Sequence, residues 1–133
     1  GTQMWVSSEI GGTLTVFDTA TQTEQAKITF EVQGVHADRV QPVGFEFTEG
    51  DTHAFVALGP SNHIAVVNAE TYKVEDYILV GRRVWHMAFN AGKSRIFTTN
   101  GISGDVTVID VASRKALKSI KVGRFPWGAA FRP

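Results

Sequence analysis

The chain of 133 residues contains no cysteine, which excludes disulfides, thiol nucleophiles and thiolate metal sites. It carries no net charge, with 13 basic and 13 acidic side chains. A nucleic-acid binder normally shows an excess of Lys and Arg, so no nucleic-acid partner is expected. No apolar run approaches the roughly 18 residues that cross a bilayer, and no membrane span is expected. Nor does a basic-then-apolar leader open the chain, since Gly1-Thr2-Gln3 runs straight into Met4-Trp5-Val6. Phosphate loops, dinucleotide fingerprints, nucleophile elbows and EF-hand patterns are all missing. What is present is a globular composition, 43% hydrophobic and 20% charged, able to bury a core.

The chain repeats itself. At an offset of 42 residues Phe47 falls on Phe89 and then Phe131, Pro42 on Val84 and Pro126, and Val43 on Trp85 and Trp127. The same offset superimposes Gly81 on Gly123, Arg82 on Arg124, Phe55 on Phe97, Asn68 on Asp110 and Ile78 on Ile120. An offset of 50 brings in the first repeat, matching Trp5 with Phe55, Asp18 with Asn68 and Ile28 with Ile78. The extra eight residues lie within the insertion 29–40. The repeats therefore span about residues 4–41, 42–83 and 84–125, with 126–133 beginning another.

Each repeat reads as four short strands. Gly44 to Phe47, Met87 to Phe89 and Gly128 to Phe131 are the first; Met4 to Ser7, Ala54 to Ala57 and Ile96 to Thr99 the second. Leu14 to Phe17, Ile64 to Val67 and Val106 to Ile109 have the β-branched alternation of a third strand. Glu24 to Ile28, Val74 to Val80 and Ala116 to Val122 are the more polar fourth. Asp18, Asn68 and Asp110 recur as turn formers. The fold class is all-β, and four antiparallel strands at this period indicate β-propeller blades.

Three stretches carry a family likeness: Arg95-Ile96-Phe97-Thr98-Thr99-Asn100, Asp105-Val106-Thr107-Val108-Ile109-Asp110-Val111-Ala112 and Ile120-Lys121-Val122-Gly123-Arg124-Phe125-Pro126-Trp127-Gly128. They resemble the YVTN-type β-propeller repeat. The chain as a whole is similar to the C-terminal part of the propeller family associated with PQQ-dependent catabolism. That resemblance implies a bacterial periplasmic setting and an accessory, non-catalytic role beside PQQ-dependent alcohol oxidation. No cofactor is expected in the chain itself.

Propellers close with about four to eight blades, and three are present. Either the chain is part of a longer propeller, or two copies associate as a homodimer that closes a six-bladed ring. In both cases residues 126–133 supply a closing inner strand.

Propeller topology gathers the connections from fourth to next first strand, and from second to third, at one end of the ring. That end receives His36, Asp38 and Arg39 from the insertion, and His63 from a second-to-third connection. It also receives Arg82, Arg83, Trp85 and His86, then Arg124 and Trp127. His53 falls at the opposite end. The arginines suit a carboxylate or phosphate, so the expected partner is a protein or a small anionic ligand. Recurrence at equivalent positions equally fits arginines that pair with acids on a neighbouring blade. Trp85 and Trp127 fit packing between blades as well as stacking on a ligand. His36, His63, His86 and Asp38 could hold Zn, Cu or Fe if they converged. A lactonase-like metal-dependent hydrolase, or a cofactor-carrying propeller, is therefore the alternative to a binding scaffold. His86 stands where other repeats have Gly44 and Gly128, and Glu46 where they have Ala88 and Ala130.

Overall fold

A computed structural model describes residues 1–132. The first sheet is a meander of β1 (Gln3–Ser8), β2 (Thr13–Asp18) and β3 (Glu24–Thr29). The second has β4 (Phe45–Phe47), β5 (His53–Ala57), β6 (His63–Asn68) and β7 (Val74–Leu79) in that order. The third has β8 (Val84–Phe89), β9 (Arg95–Asn100), β10 (Asp105–Asp110) and β11 (Lys115–Lys121). All neighbouring strands are antiparallel. Among the described residues no helix is long and apolar enough to cross a membrane.

Strand alternation explains how the sheets stack. In β5, Ala54 and Val56 face the first sheet while Phe55 and Ala57 face the third. One core holds Leu14, Val16 and Ile28 against Ala54, Val56, Ala65 and Val67. The other holds Phe55, Ile64, Val66 and Ile78 against Met87, Phe89, Ile96 and Ile109. Because the middle sheet is covered on both faces, β5 and β6 read as nearly unbroken apolar runs. The register shift between third and fourth strands also repeats, at Val16/Phe17, Val66/Val67 and Val108/Ile109.

The turns after the third strands are built by side chains. Asp18 Oδ1 accepts from the backbone N–H of Ala20 and Thr21, Asn68 Oδ1 from Glu70 and Thr71, and Asp110 Oδ2 from Ser113. Each turn ends in a left-handed residue, Gln22, Tyr72 or Arg114. Hydrogen bonds from Thr21 and Ser113 hold the Asp18 and Asp110 carboxyls below the usual range.

Two stretches differ from what the sequence suggests. Residues 128–131, read from the sequence as a first strand, form no strand in the structure. The segment instead passes β9, where the Thr99 hydroxyl donates to the Trp127 carbonyl at 2.9 Å. The insertion is more than a surface excursion. Phe30, Val32 and Val40 are buried in the core between the first two sheets, and the Glu31 N–H donates to Tyr77 Oη at 2.9 Å. Between these anchors Gln33, Gly34 and residues 36–39 are exposed, the last three forming a 3-10 turn at Ala37–Arg39. Replacing Phe30 by Ala should therefore cost about 3 kcal/mol, while Gln33→Ala at the exposed tip stays within about 0.5 kcal/mol. Urea denaturation midpoints at unchanged slope measure both.

Candidate functional site

Hydrogen bonds join neighbouring loops at one end of the sheets. Asn62 Oδ1 accepts from the Arg83 N–H at 2.8 Å, and Arg39 Nη2 donates to the Pro60 carbonyl at 3.2 Å. The Arg82 N–H donates to Ser103 Oγ at 2.9 Å, and the Arg83 carbonyl accepts from Gly101.

Arg83 is the hub of this end. Its Nη2 donates to Glu9 Oε1 at 2.7 Å and its Nη1 to Gln41 Oε1 at 3.2 Å. The guanidinium lies 4.0 Å from the centre of the Trp85 ring. One side chain thus joins the β1–β2 loop, the approach to β4 and the start of β8, from a residue held at φ 58°. Arg83 and Trp85 are committed to architecture.

Arg82 and Arg124 are not. Among the described residues neither guanidinium makes an ion pair or a hydrogen bond, and Arg82 finds no acid on the neighbouring sheet. The partner belongs to the neighbouring Arg83, whose Glu9 sits in a loop. Arg124 lies 5.7 Å from the Phe125 ring. Ile102 and Phe125, which share a cleft with it, are 55% and 68% exposed. This is a cationic and aromatic surface facing solvent.

The histidines separate. His36 pairs with Asp38 at 2.7 Å on the exposed turn. His63 Nδ1 donates to the Ser61 carbonyl at 2.6 Å. His86 packs against Gly44, where a Cβ would sit 2.9 Å from the imidazole and 2.8 Å from the Trp85 carbonyl. Its Nδ1 is buried with no hydrogen-bond partner. Among the described residues no group of three or more His, Asp or Glu side chains could share a metal ion. A cleft of about 360 Å³ lies at this end, with Ser7, Glu9, Pro42, Gly44, His86 and Trp127 in its wall. Glu46 is half-buried on β4.

The opposite end carries a cluster that sequence reading missed. Glu75 Oε2 accepts from Arg114 Nη2 at 2.6 Å and lies 3.2 Å from His53 Nε2, while Glu75 Oε1 accepts from Asn68 at 3.0 Å. It latches the second sheet to the third. The equivalent latch between first and second sheets is neutral, with Gln3 Nε2 donating to Gln25 Oε1 and to Tyr72 Oη. Aligning the repeats superimposes Gln3 on His53, Gln25 on Glu75 and Tyr72 on Arg114. That coincidence was the available signal.

No family model and no curated protein matches the sequence. Solved structures do. Hydrazine synthase of Kuenenia stuttgartiensis is similar over 96% of this chain, with a TM-score of 0.85 and 18% identity. U3-55K follows at 0.76 and 11% over 93%, and the RRP9 WD40 repeats at 0.75 and 12% over 91%. The fold is that of β-propeller blades. The chain spans 35–37% of the length of these three proteins.

Two outcomes follow from the seams. Arg83→Met should destabilise by about 1 kcal/mol, because Glu9 is half-exposed and water replaces part of the lost interaction. A double-mutant cycle with Glu9→Gln should show positive coupling in chemical denaturation. At the other seam, hydrogen bonds from Asn68 and then Arg114, with the Arg114 and His53 charges, bring the Glu75 carboxyl from 4.5 down to about 2. A carboxyl lower in the folded chain than in the unfolded one stabilises above pH 4.5, and that contribution is lost as pH falls towards about 2. Glu75→Gln should flatten the acid limb of a stability–pH curve.

Proposed function

We propose that the chain is a non-enzymatic binding and scaffold module that engages a protein partner through the loop end of its blades. The observation that carries this reading is the contrast between adjacent arginines. Arg83 is engaged with Glu9, Gln41 and Trp85, whereas among the described residues Arg82 and its repeat equivalent Arg124 make no ion pair, and exposed Ile102 and Phe125 share a cleft with Arg124. Arginine and tryptophan are the side chains that most often anchor protein interfaces. Guanidinium groups next to apolar side chains suit a segment in which carboxylates flank an apolar anchor. A small anionic ligand would use the same two arginines. The YVTN-type resemblance supports a setting in the bacterial periplasm, as an accessory of PQQ-dependent alcohol oxidation. The hydrolase alternative has no comparable support, since His36 stands on the exposed turn, His63 at the start of β6 and His86 within β8, and among the described residues no three metal-ligating side chains come together.

A biosensor titration of the chain against a purified PQQ-dependent alcohol dehydrogenase tests both parts. Binding that weakens with salt, and by about tenfold (~1.4 kcal/mol) in Arg82→Glu/Arg124→Glu, is the expected result. No binding by the unaltered chain would remove the proposed setting. Equal binding by the variant would move the contact surface away from the loop end.

A further inference from the structure

Of the four asparagines in the chain, Asn100 alone precedes a glycine. The pair is chemically labile, because no Cβ on the following residue keeps its nitrogen away from the asparagine Cγ. Here the pair is folded into the third sheet. Asn100 closes β9 with a backbone partner on either side, Val84 and Asp105. Both Asn100 and Gly101 are buried.

Every group that would react is held. Asn100 Nδ2 donates to Asp105 Oδ1 at 2.8 Å and to Thr107 Oγ1 at 2.9 Å, and Asn100 Oδ1 accepts from the Thr98 hydroxyl at 3.1 Å. The nucleophile is occupied as well, since the Gly101 N–H donates to the Arg83 carbonyl at 2.9 Å. A Cβ on Gly101 would lie 2.7 Å from Trp85 Nε1, so only glycine fits under that ring. Gly81, at the end of the second repeat, seals the cluster. Its N–H donates to Thr107 Oγ1, and a Cβ there would lie 2.5 Å from both Asn100 Nδ2 and Asp105 Oδ1. The blade before has no such cluster, with Val56, Leu58, His63 and Ala65 at the equivalents of Thr98, Asn100, Asp105 and Thr107. The labile pair thus belongs to this blade, and its protection to the junction of the second and third sheets.

We propose that Asn100–Gly101 is a self-modification site gated by the fold: deamidation by water proceeds only in chains whose second and third sheets have parted, and its product keeps them apart. In the opened chain the Gly101 nitrogen gives up its proton and attacks Asn100 Cγ. The new N–C bond closes a cyclic imide, and Nδ2 leaves as ammonia carrying that proton. Water then adds to either imide carbonyl and opens the ring, leaving aspartate or isoaspartate at position 100. Neither fits the seat. Aspartate removes the donor that Asp105 and Thr107 share and sets a second carboxylate against Asp105, whose ion-pair partner Lys121 lies 3.8 Å away on an exposed side chain. Isoaspartate adds a carbon to the main chain and breaks the pairing with Val84 and Asp105. The modification records an opening and makes it permanent. It is independent of the partner proposed for the loop end.

Incubating the chain in mildly alkaline buffer, with and without urea, and mapping its peptides by mass spectrometry tests this. In urea Asn100 should convert before Asn62, Asn68 and Asn90. In buffer its conversion should be slower by more than about tenfold, because it requires opening. After dilution from urea, brief proteolysis should remove the converted chains and spare the intact ones. Asn100→Asp should lower the folded-to-unfolded ratio more than about tenfold. Adding Asp105→Asn should recover most of that loss, because amide and carboxylate then only exchange places. Any of four results would overturn the proposal: equal conversion in buffer and urea, conversion in urea no faster than at the other asparagines, converted chains as protease-resistant as intact ones, or no recovery in the double variant. Where Asn100→Asp alone does not fold, the double variant and the unaltered chain decide.

Discussion

Everything in this molecule depends on one constraint, that an apolar sheet with two faces must be covered twice. The second sheet meets it, with Ala54, Val56, Ala65 and Val67 covered on one side and Phe55, Ile64 and Val66 on the other. A layer of this kind has no independent stability, since each face draws its burial from a neighbour. The period of the sequence is therefore the period of an interface. Residues recur at 42 or 50 positions because each sheet must fit the back of the one before it.

Around that apolar stack the polar contacts sit at two ends and are built differently. The loop end depends on one arginine reaching three separate segments, with the Trp85 ring shielding it from water. The opposite end uses a latch repeated once per junction, neutral at Gln3, Gln25 and Tyr72 and charged at His53, Glu75 and Arg114. Position is kept while chemistry changes. What the fold demands there is a bridge of the right length between sheets, and either a glutamine–tyrosine contact or a carboxylate–guanidinium contact supplies it.

The strands and turns were legible in the sequence because they are periodic. Asp18, Asn68 and Asp110 mark the same turn three times, and all three make it by the same backbone hydrogen bonds. The candidate site was less legible. Recurrence pointed to Arg82 and Arg124 as structural arginines, yet the structural one is Arg83, which has Phe125 rather than an arginine at its repeat equivalent. Backbone conformation decides between neighbours, and a positive φ at Arg83 does not show in composition. Part of the insertion was legible too: Ile28, Phe30 and Val32 stand two apart, the spacing of one strand face, and all three are buried although β3 ends at Thr29.

The fit of His86 against Gly44 makes position 44 intolerant of any side chain. A Cβ there would meet the Trp85 carbonyl at 2.8 Å, the imidazole at 2.9 Å and the His86 Cα at 3.1 Å. Two of those three atoms are backbone, which cannot turn aside as a rotamer can. Contact at this place is main chain against main chain, so the spacing of the two inner strands is set by the absence of a single methyl group.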